Sequence, residues 1–155
     1  MKQLLSLRLS RRAVGAAILD AGGLKTADTR HLRSNSQEAV AAAIAFIDRL
    51  LEDSSITAVA IDRPLPGSST VGDAVSAYLA TSAAARGMQV LLVAKLDILT
   101  AYGVATVRTR GDVRSLVAAY WPLLSEMRRP HPHTLDAAAA ALYAECQLTL
   151  SPPRT

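Results

Sequence analysis

Alternating apolar and polar residues open the chain and predict a β-hairpin. In the segment LLSLRLS, leucines alternate with serine or arginine, which is the two-residue period of a strand. Two arginines then make a short turn, and an apolar run returns as a second strand. The predicted hairpin strands cover Gln3–Leu9 and Ala13–Asp20, and a third strand over Leu24–Leu32 has the mixed polar composition of a sheet edge.

Helical spacing and short apolar runs then follow one another along the chain. The segment 34–54 opens with serine and asparagine caps and carries Glu38 in its first turn, so it predicts a helix. Two continuous apolar runs, 56–62 and 88–95, predict strands that are buried on both faces. Further helices are predicted over 70–88, 96–103 and 134–150, and one in the segment 110–124 is expected to stop near Pro122.

This order of elements predicts an α/β fold with a central five-stranded mixed sheet. An antiparallel three-strand meander is continued by α/β crossovers, and helices flank the sheet. Right-handed crossovers extend the sheet outwards from the first strand, so strand 1 lies centrally beside strand 4. We expect a single domain over residues 1–150 and a loose tail over 151–155.

The central position makes Arg8 the unusual residue of the first strand. A buried guanidinium is costly unless anions meet it. The neighbouring strand ends in Asp62, and ligands of α/β sheets gather at the carboxyl ends of neighbouring strands. Asp62 is therefore a candidate partner for Arg8.

Composition limits the class of protein. The chain has 155 residues, of which 50% are hydrophobic and 19% charged, as expected for one folded domain rather than a disordered chain. Cys146 is the single cysteine and cannot form an internal disulfide, which predicts a reducing, cytoplasmic location. We expect no membrane association, because no apolar run reaches the length of a membrane span.

Charge is unevenly distributed along the chain. The net charge is +4, and the first 35 residues hold seven Lys or Arg against two Asp. The following forty residues are acidic, and the remainder is basic again. The pattern fits either a polyanion-binding surface or an ordinary solvated surface, and charge alone favours the second.

Four segments together resemble the RuvC-type Holliday-junction resolvases of the ribonuclease H-like superfamily. The segments are LLSLRLSRRAVGAAIL, VAIDRP, RGDVRSLV and HTLDAAAAAL, and their order and spacing match over about residues 3–148. The resemblance implies a ribonuclease H-like fold. It also implies that a resolvase works as a dimer, with one active site for each DNA strand.

The resemblance also implies a metal site. Carboxylates in this family hold two divalent cations, usually Mg²⁺, that orient a water for attack on a phosphodiester. Asp62, His133 and Asp136 stand at three of the family's site positions. At the fourth, where the family has its first Asp, this chain has Arg8.

Arg8 changes what the site is expected to do, because arginine stays protonated and cannot bind a cation. Two carboxylates about 4 Å apart repel by roughly 4 kcal/mol at an effective dielectric near 20. A guanidinium between them would offset that repulsion as a metal ion does. Our hypothesis is that Arg8 occupies the metal position and forms an ion pair with Asp62, Asp136 or both.

Three functions remain open from the sequence. The first is a RuvC-like protein that binds branched or double-stranded DNA, has a degenerate metal site and cleaves little or not at all. The second is an active Mg²⁺- or Mn²⁺-dependent crossover-junction endonuclease that uses Asp62, His133 and Asp136 as catalytic and metal-binding residues. The third is a divergent, non-catalytic interaction module.

Several arginines are candidates for contacts to nucleic acid. Each of them could instead simply face solvent. The candidates in the predicted hairpin turn and near the start of the helix over 110–124 are Arg11, Arg12, Arg108, Arg110 and Arg114.

Other polar residues have structural explanations. Asp112 lies near a helix start, where an acidic residue stabilises the first turn, and Asp20 lies at the far end of its strand. We expect neither to be a metal ligand. We expect His131 to lie in a polar loop, and Thr134 to be the N-cap of the last helix.

The cysteine and the aromatic pair near Pro122 are expected to serve packing. Cys146 is expected to be a small buried residue. Tyr120 and Trp121 are expected to pack at a helix end rather than to stack on bases.

Overall fold

Five strands form a mixed sheet in a computed structural model that describes residues 2–32, 36–103, 107 and 109–150. The strands are β1 (Gln3–Leu9), β2 (Ala13–Asp20), β3 (Gly23–His31), β4 (Ile56–Asp62) and β5 (Gln89–Val93). Their order across the sheet is β3-β2-β1-β4-β5. β1 pairs antiparallel with β2 and parallel with β4, so the predicted central position of the first strand is confirmed.

Six helices cover the sheet in the described part of the chain. They are α1 (Ser36–Leu51), α2 (Thr70–Ala85), α3 (Lys95–Ala101), α4 (Arg110–Tyr120), α5 (Pro122–Glu126) and α6 (Pro132–Leu150). The short helix α5 was not predicted. The helix expected to stop near Pro122 ends at Tyr120, and Pro122 begins α5 at a first-turn position, where proline is tolerated.

The two faces of the sheet have separate cores. On one, which we call the apolar face, leucines 5, 7 and 9 of β1 pack with residues of α1 and α2. On the other, the α6 face, Leu4 packs with Ala58 and Ala60 of β4 and with a run of alanines in α6. Alternate residues of β1 and β4 thus enter different cores, as the two-residue period of a strand requires.

Some expectations about burial were wrong. β5 is an edge strand in which only Val93 is fully buried, because the sheet does not continue beyond it. Leu92 is 49% exposed. Cys146 is exposed on α6 rather than buried, since it lies on the side of that helix away from the sheet core. The expected packing of Trp121 is confirmed, whereas Tyr120 is exposed.

Two further predictions concern parts of the chain outside the described residues. They are the caps at Ser34 and Asn35 and the tail over 151–155. Among the described helices, none combines the length and apolarity that a membrane crossing requires.

Candidate functional site

Register brings three residues of the sheet together at its centre. Arg8 is paired with Asp62 across the parallel β1–β4 ladder and with Gly15 across the antiparallel β1–β2 ladder. Neighbours in register share a face of the sheet, which here is the α6 face. Arg8 and Asp62 therefore lie side by side near the carboxyl ends of two parallel strands.

Gly15 allows α6 to approach this point closely. A Cβ at Gly15 would lie 2.0 Å from the carbonyl oxygen of His133, in the first turn of α6. The next turns of α6 carry small residues, and Ala137 and Ala140 have no exposed surface. The hydroxyls of Thr29 and Thr134, 2.6 Å apart, tie the helix to β3. The close approach places Asp136 over the sheet, where it is only 2% exposed.

The start of α6 differs from the expectation. Thr134 is not the N-cap, because the helix already begins at Pro132; its hydroxyl contacts that of Thr29 instead. His131 precedes Pro132, the first helical residue, and its Nδ1 accepts the His133 backbone N–H at 3.0 Å. His131 thus supplies the capping acceptor that the first turn needs.

α4 contributes two arginines from one of its faces. Thr109 and Asp112 form a capping box, in which each side chain accepts the other's backbone N–H, and this fixes where the helix begins. Arg110 and Arg114 are four residues apart and so project on the same side. Asp112 has the structural role that we expected.

Both buried carboxylates receive paired hydrogen bonds from these arginines. The Arg110 guanidinium donates to Asp62 through Nη1 at 2.9 Å and Nη2 at 3.0 Å. Arg114 donates to Asp136 through Nε at 2.8 Å and Nη2 at 2.9 Å. The planar fork of arginine matches a carboxylate in this bidentate arrangement.

Arg8 lies between the two acids. Its Nε is 3.4 Å from Oδ2 of Asp136 and 3.9 Å from Oδ2 of Asp62, and its Nη1 donates to the Leu9 carbonyl at 2.9 Å. The hypothesis that Arg8 forms ion pairs with these acids is confirmed. We call the five side chains Arg8, Asp62, Arg110, Arg114 and Asp136 the arginine–aspartate cluster.

Burial makes the balance of charge in the cluster important. Asp62 has no exposed surface, and the Arg8 and Arg110 side chains are each 14% exposed. Burial alone would raise the pKa of Asp136, but the hydrogen bonds and charge of Arg114, helped by Arg110 and Arg8, hold it below its ordinary value. Burial opposes the charge of Arg110, yet its hydrogen bonds to Asp62 and the nearby acids raise its pKa. The surroundings thus favour the charged forms of Asp136 and Arg110, and the cluster sets three arginines against two aspartates.

The three histidines of the chain lie in a row beside the cluster. The ring of His131 makes edge-to-face contacts with those of His31 and His133, with centroids 5.0 and 5.1 Å away. Burial, followed by the charge of Arg8, lowers the pKa of His133 to about 4. His133 is therefore neutral at physiological pH.

The residues that the resemblance assigns to a metal site do not fit a divalent cation as they are arranged. All four carboxylate oxygens of Asp62 and Asp136 accept hydrogen bonds from arginine. Nδ1 of His133 is buried without a hydrogen-bond partner, but Mg²⁺ prefers oxygen ligands. In the described ranges, no group of three or more His, Cys, Asp or Glu is placed to hold a metal ion.

The remaining candidates lie in several places. Arg11 and Arg12 are exposed in the β1–β2 turn, whereas Arg108 is outside the described residues. Arg110 and Arg114 face the buried acids instead of forming an open surface. Asp20 accepts the Gly22 backbone N–H in the turn between β2 and β3, and it takes no part in the cluster.

Sequence reasoning missed two cations next to the cluster. Arg63 directly follows β4 and Lys95 begins α3 after β5, and both line a cleft together with Arg8 and Arg110. The available signal was that a cation stands within two residues of the end of each of two parallel strands, where the carboxyl ends of the strands form one edge of the sheet.

Comparisons with known proteins identify the fold. No protein-family model and no curated protein matches the sequence. The structure is similar to Thermus thermophilus RuvC in complex with a Holliday junction substrate, with a TM-score of 0.74, 16% identity and 97% of each chain covered. A second structure of Thermus thermophilus RuvC gives a TM-score of 0.69 at 16% identity, covering 96% of each chain.

A third solved structure is also similar in fold, at lower sequence identity. The yeast mitochondrial Holliday junction resolvase Ydc2 gives a TM-score of 0.61 at 10% identity, over 96% of this chain and 82% of that one. The predicted ribonuclease H-like fold of RuvC type is thus confirmed. At these identities, the likeness establishes the fold.

Proposed function

We propose that this protein binds branched or double-stranded DNA and does not cleave it by the metal-dependent chemistry of a RuvC nuclease. One observation carries the proposal: arginine donors engage all four oxygens of the two buried carboxylates. The RuvC-type fold supports DNA as the partner.

Charge explains how the site keeps its shape without a metal ion. Two buried carboxylates repel each other, and in a nuclease of this fold divalent cations would offset the repulsion. Here Arg8 lies between them, and Arg110 and Arg114 each neutralise one acid. A cation of charge +2 would have to displace guanidinium groups that already make short, paired hydrogen bonds, and it would meet a surplus of positive charge.

The same cluster is suited to a phosphate. Its five side chains hold one positive charge more than negative, and guanidinium donors match phosphate oxygens as well as carboxylates. Arg11 and Arg12 extend the positive charge from the exposed β1–β2 turn. Phosphate contacts dominate the affinity of proteins for DNA, so we expect binding that weakens as salt is added.

A labelled synthetic four-way junction tests the proposal directly. The protein is incubated with the junction at low salt, with and without Mg²⁺ or Mn²⁺. We expect a salt-sensitive shift in mobility and no nicking under either condition. Symmetrical nicking that requires the metal would establish an active endonuclease instead, and no shift at low salt would leave a non-catalytic interaction module.

Substitutions in the β1–β2 turn sharpen that experiment. Replacing Arg11 and Arg12 together with alanine should weaken junction binding and reduce the slope of log K against log salt by about one for each lost phosphate contact. Arg49 is an exposed arginine in the last turn of α1, and Arg49→Ala is the matched control. An equal loss in both variants would show that the turn is not part of the DNA-binding surface.

Arg8→Asp tests whether Arg8 replaces a metal ligand. The substitution removes the guanidinium between the acids and supplies a third carboxylate, so we expect Mn²⁺ binding that the wild type lacks. Isothermal titration calorimetry measures it. Strong Mn²⁺ or Mg²⁺ binding at this site in the wild type would contradict the proposal. A variant that binds no more metal than the wild type would show that Arg8 alone does not keep a metal ion from the site, where Arg110 and Arg114 still engage the carboxylate oxygens.

We further propose that the protein acts as a homodimer, as the resemblance to resolvases implies. Two copies would present two clusters to two DNA strands. Sedimentation equilibrium of the protein alone and with the junction should give two protein chains for each junction. One chain for each junction would contradict the homodimer.

A further inference from the structure

A cleft of about 460 Å³ opens beside the arginine–aspartate cluster. It lies at the carboxyl ends of β1, β4 and β5, and its charged lining residues are Arg8, Arg63, Lys95 and Arg110. All four are cations. Clefts of this size hold small organic ligands, so the cleft can accept more than a bare ion.

Two of these four cations make no ion pair within the described part of the chain. Among the described residues, neither Arg63 nor Lys95 has an ion-pair partner, whereas Arg8 and Arg110 share Asp62 and Asp136 with Arg114. Unpaired cations that line one concave surface concentrate positive potential there and attract anions.

The charges around the cleft can be counted. The cluster contributes a surplus of one positive charge, and Arg63 and Lys95 contribute one each. Outside the cluster, Asp97 is an acid next to the lining, and its Oδ2 accepts the backbone N–H of Ala94, a lining residue, at 3.0 Å. Setting Asp97 against the cations leaves two positive charges to be balanced by a ligand.

The remaining lining residues of the cleft are apolar. Pro64, Leu65 and Leu92 line it, and Leu65 and Leu92 are 79% and 49% exposed. Large exposed aliphatic side chains next to a group of cations suit a ligand that joins an anion to a less polar body. A nucleotide has both parts.

We propose that this cleft binds a phosphate monoester, as found in a nucleotide or at the phosphorylated end of a nucleic acid strand. This proposal rests on the proposed function, in which DNA is the partner. It adds that the cleft prefers a terminal phosphate to an internal one. An internal phosphodiester carries one negative charge, whereas a monoester carries close to two at neutral pH because its second pKa is about 6. The dianion matches the two unbalanced positive charges, and three terminal oxygens offer more acceptors than the two of a diester.

Paired single-stranded oligonucleotides of the same sequence provide the test. One member of each pair ends in a 5′- or 3′-phosphate and the other in a hydroxyl, and fluorescence anisotropy measures their affinity for the full chain. At neutral pH we expect the phosphate to raise affinity about tenfold or more, as charge-assisted hydrogen bonds do. Equal affinity of the phosphate and hydroxyl forms would overturn the proposal.

Single variants locate the effect. Arg63→Ala and Lys95→Ala should each remove most of the preference for the phosphorylated strand. Lys25 is exposed on β3, at the opposite edge of the sheet, and Lys25→Ala should retain the preference. Loss in all three variants alike would show that net charge, and not the cleft, causes the preference, and the proposal would fail.

Two more titrations separate the source of the ligand and the proposed function. In calorimetry, binding of deoxythymidine monophosphate but not thymidine would identify a site for free nucleotides. Binding of phosphorylated strands without binding of the monophosphate would identify a site for strand ends. Both results support the cleft. A four-way junction with hydroxyl ends that binds normally, while terminal phosphate has no effect, overturns the cleft and leaves the proposed function standing. Binding of the monophosphate without any binding of junctions supports the cleft and overturns the proposed function.

Discussion

The two faces of the same sheet are built from opposite kinds of side chain. On the apolar face, leucines 5, 7 and 9 of β1 fill the space beneath α1 and α2. On the α6 face, the alternate positions of β1 are Leu4, Ser6 and Arg8, and those of β4 are Ala58, Ala60 and Asp62. From Leu5 to Leu9, β1 thus alternates between a large aliphatic residue and a small or charged one.

The difference shows what a buried charge needs from its surroundings. Small residues on the sheet and in α6 bring the helix backbone close, so that Asp136 reaches Arg8 without a gap that water would fill. On the apolar face, the large side chains of β1 pack against α1 and α2. Both buried carboxylates, Asp62 and Asp136, lie on the α6 face. Close backbone approach and charge pairing are therefore two parts of one arrangement.

Register connects the two faces. A slip of one residue in β1 would exchange the faces, turning Arg8 into the leucine core and a leucine toward Asp62. Burying Arg8 among leucines and facing Asp62 with a leucine would both cost free energy. Both faces therefore favour the observed register. This agreement between hydrophobic burial and charge pairing explains how a central strand can carry an arginine.

Removing a carboxylate from the α6 face should have the largest effect on stability. Asp136→Ala would leave Arg114 and Arg8 without their buried partner, and we expect the free energy of unfolding to fall by about 4 kcal/mol. Chemical denaturation measures the loss. Asp28 is an exposed acid on β3, and Asp28→Ala should change stability by no more than about 0.5 kcal/mol. Similar results for the two variants would mean that the cluster does not hold α6 to the sheet.

A paired substitution distinguishes stability from function. Asp136→Leu combined with Arg114→Met replaces the ion pair by apolar side chains, and such replacements often keep or raise stability. We expect the double variant to recover most of the loss while its binding to the four-way junction weakens. Full retention of junction binding would show that this pair serves folding alone.

A larger residue at Gly15, on the α6 face of the sheet, should also reduce stability. In Gly15→Ala, the new methyl group would meet the His133 carbonyl, so the α6 backbone must move, and we expect a loss of about 3 kcal/mol. Gly111 in α4 is the matched control, because its Cβ would meet its nearest neighbour at 3.5 Å. Gly111→Ala should be neutral or slightly stabilising. A Gly15→Ala variant as stable as the wild type would show that close approach of α6 is not required.

Hydrophobic pattern predicted the sheet well, because burial on two faces leaves a strong signal. The bounds of β1, β2 and β4 match the predicted ones, and the meeting of Arg8 with Asp62 followed from strand order alone. Asp136 could be anticipated only through the resemblance, since nothing local in an alanine-rich helix says which residue will face a distant strand.

Long and exposed side chains account for what the sequence could not decide. Arg110 and Arg114 have the right spacing to act together, but a flexible arginine faces water, phosphate or carboxylate according to what the fold brings near it. Thr134 has a good capping side chain, and its engagement by Thr29, far away in sequence, could not be foreseen. Arg63 and Lys95 gain meaning only when β4 and β5 are placed side by side.

Acid should weaken the α6 face in two separate steps, and the first is the smallest effect we expect. Burial and Arg8 lower the pKa of His133 from 6.5 to about 4, so between these values the unfolded chain binds a proton that the folded chain does not. Stability is therefore complete above pH 6.5 and falls as pH decreases toward 4, by about 1 kcal/mol after allowance for solvent exposure. His131, whose pKa is also lowered, adds in the same direction. The pKa of Asp136 is lowered from its ordinary value of 3.8, so its contribution is complete above that value and is lost as pH falls through it toward the lower pKa of the folded state. Thermal unfolding followed across this range should show a shallower acid slope in His133→Gln than in the wild type. An unchanged slope in His133→Gln would mean that the row of histidines does not make the α6 face sensitive to acid.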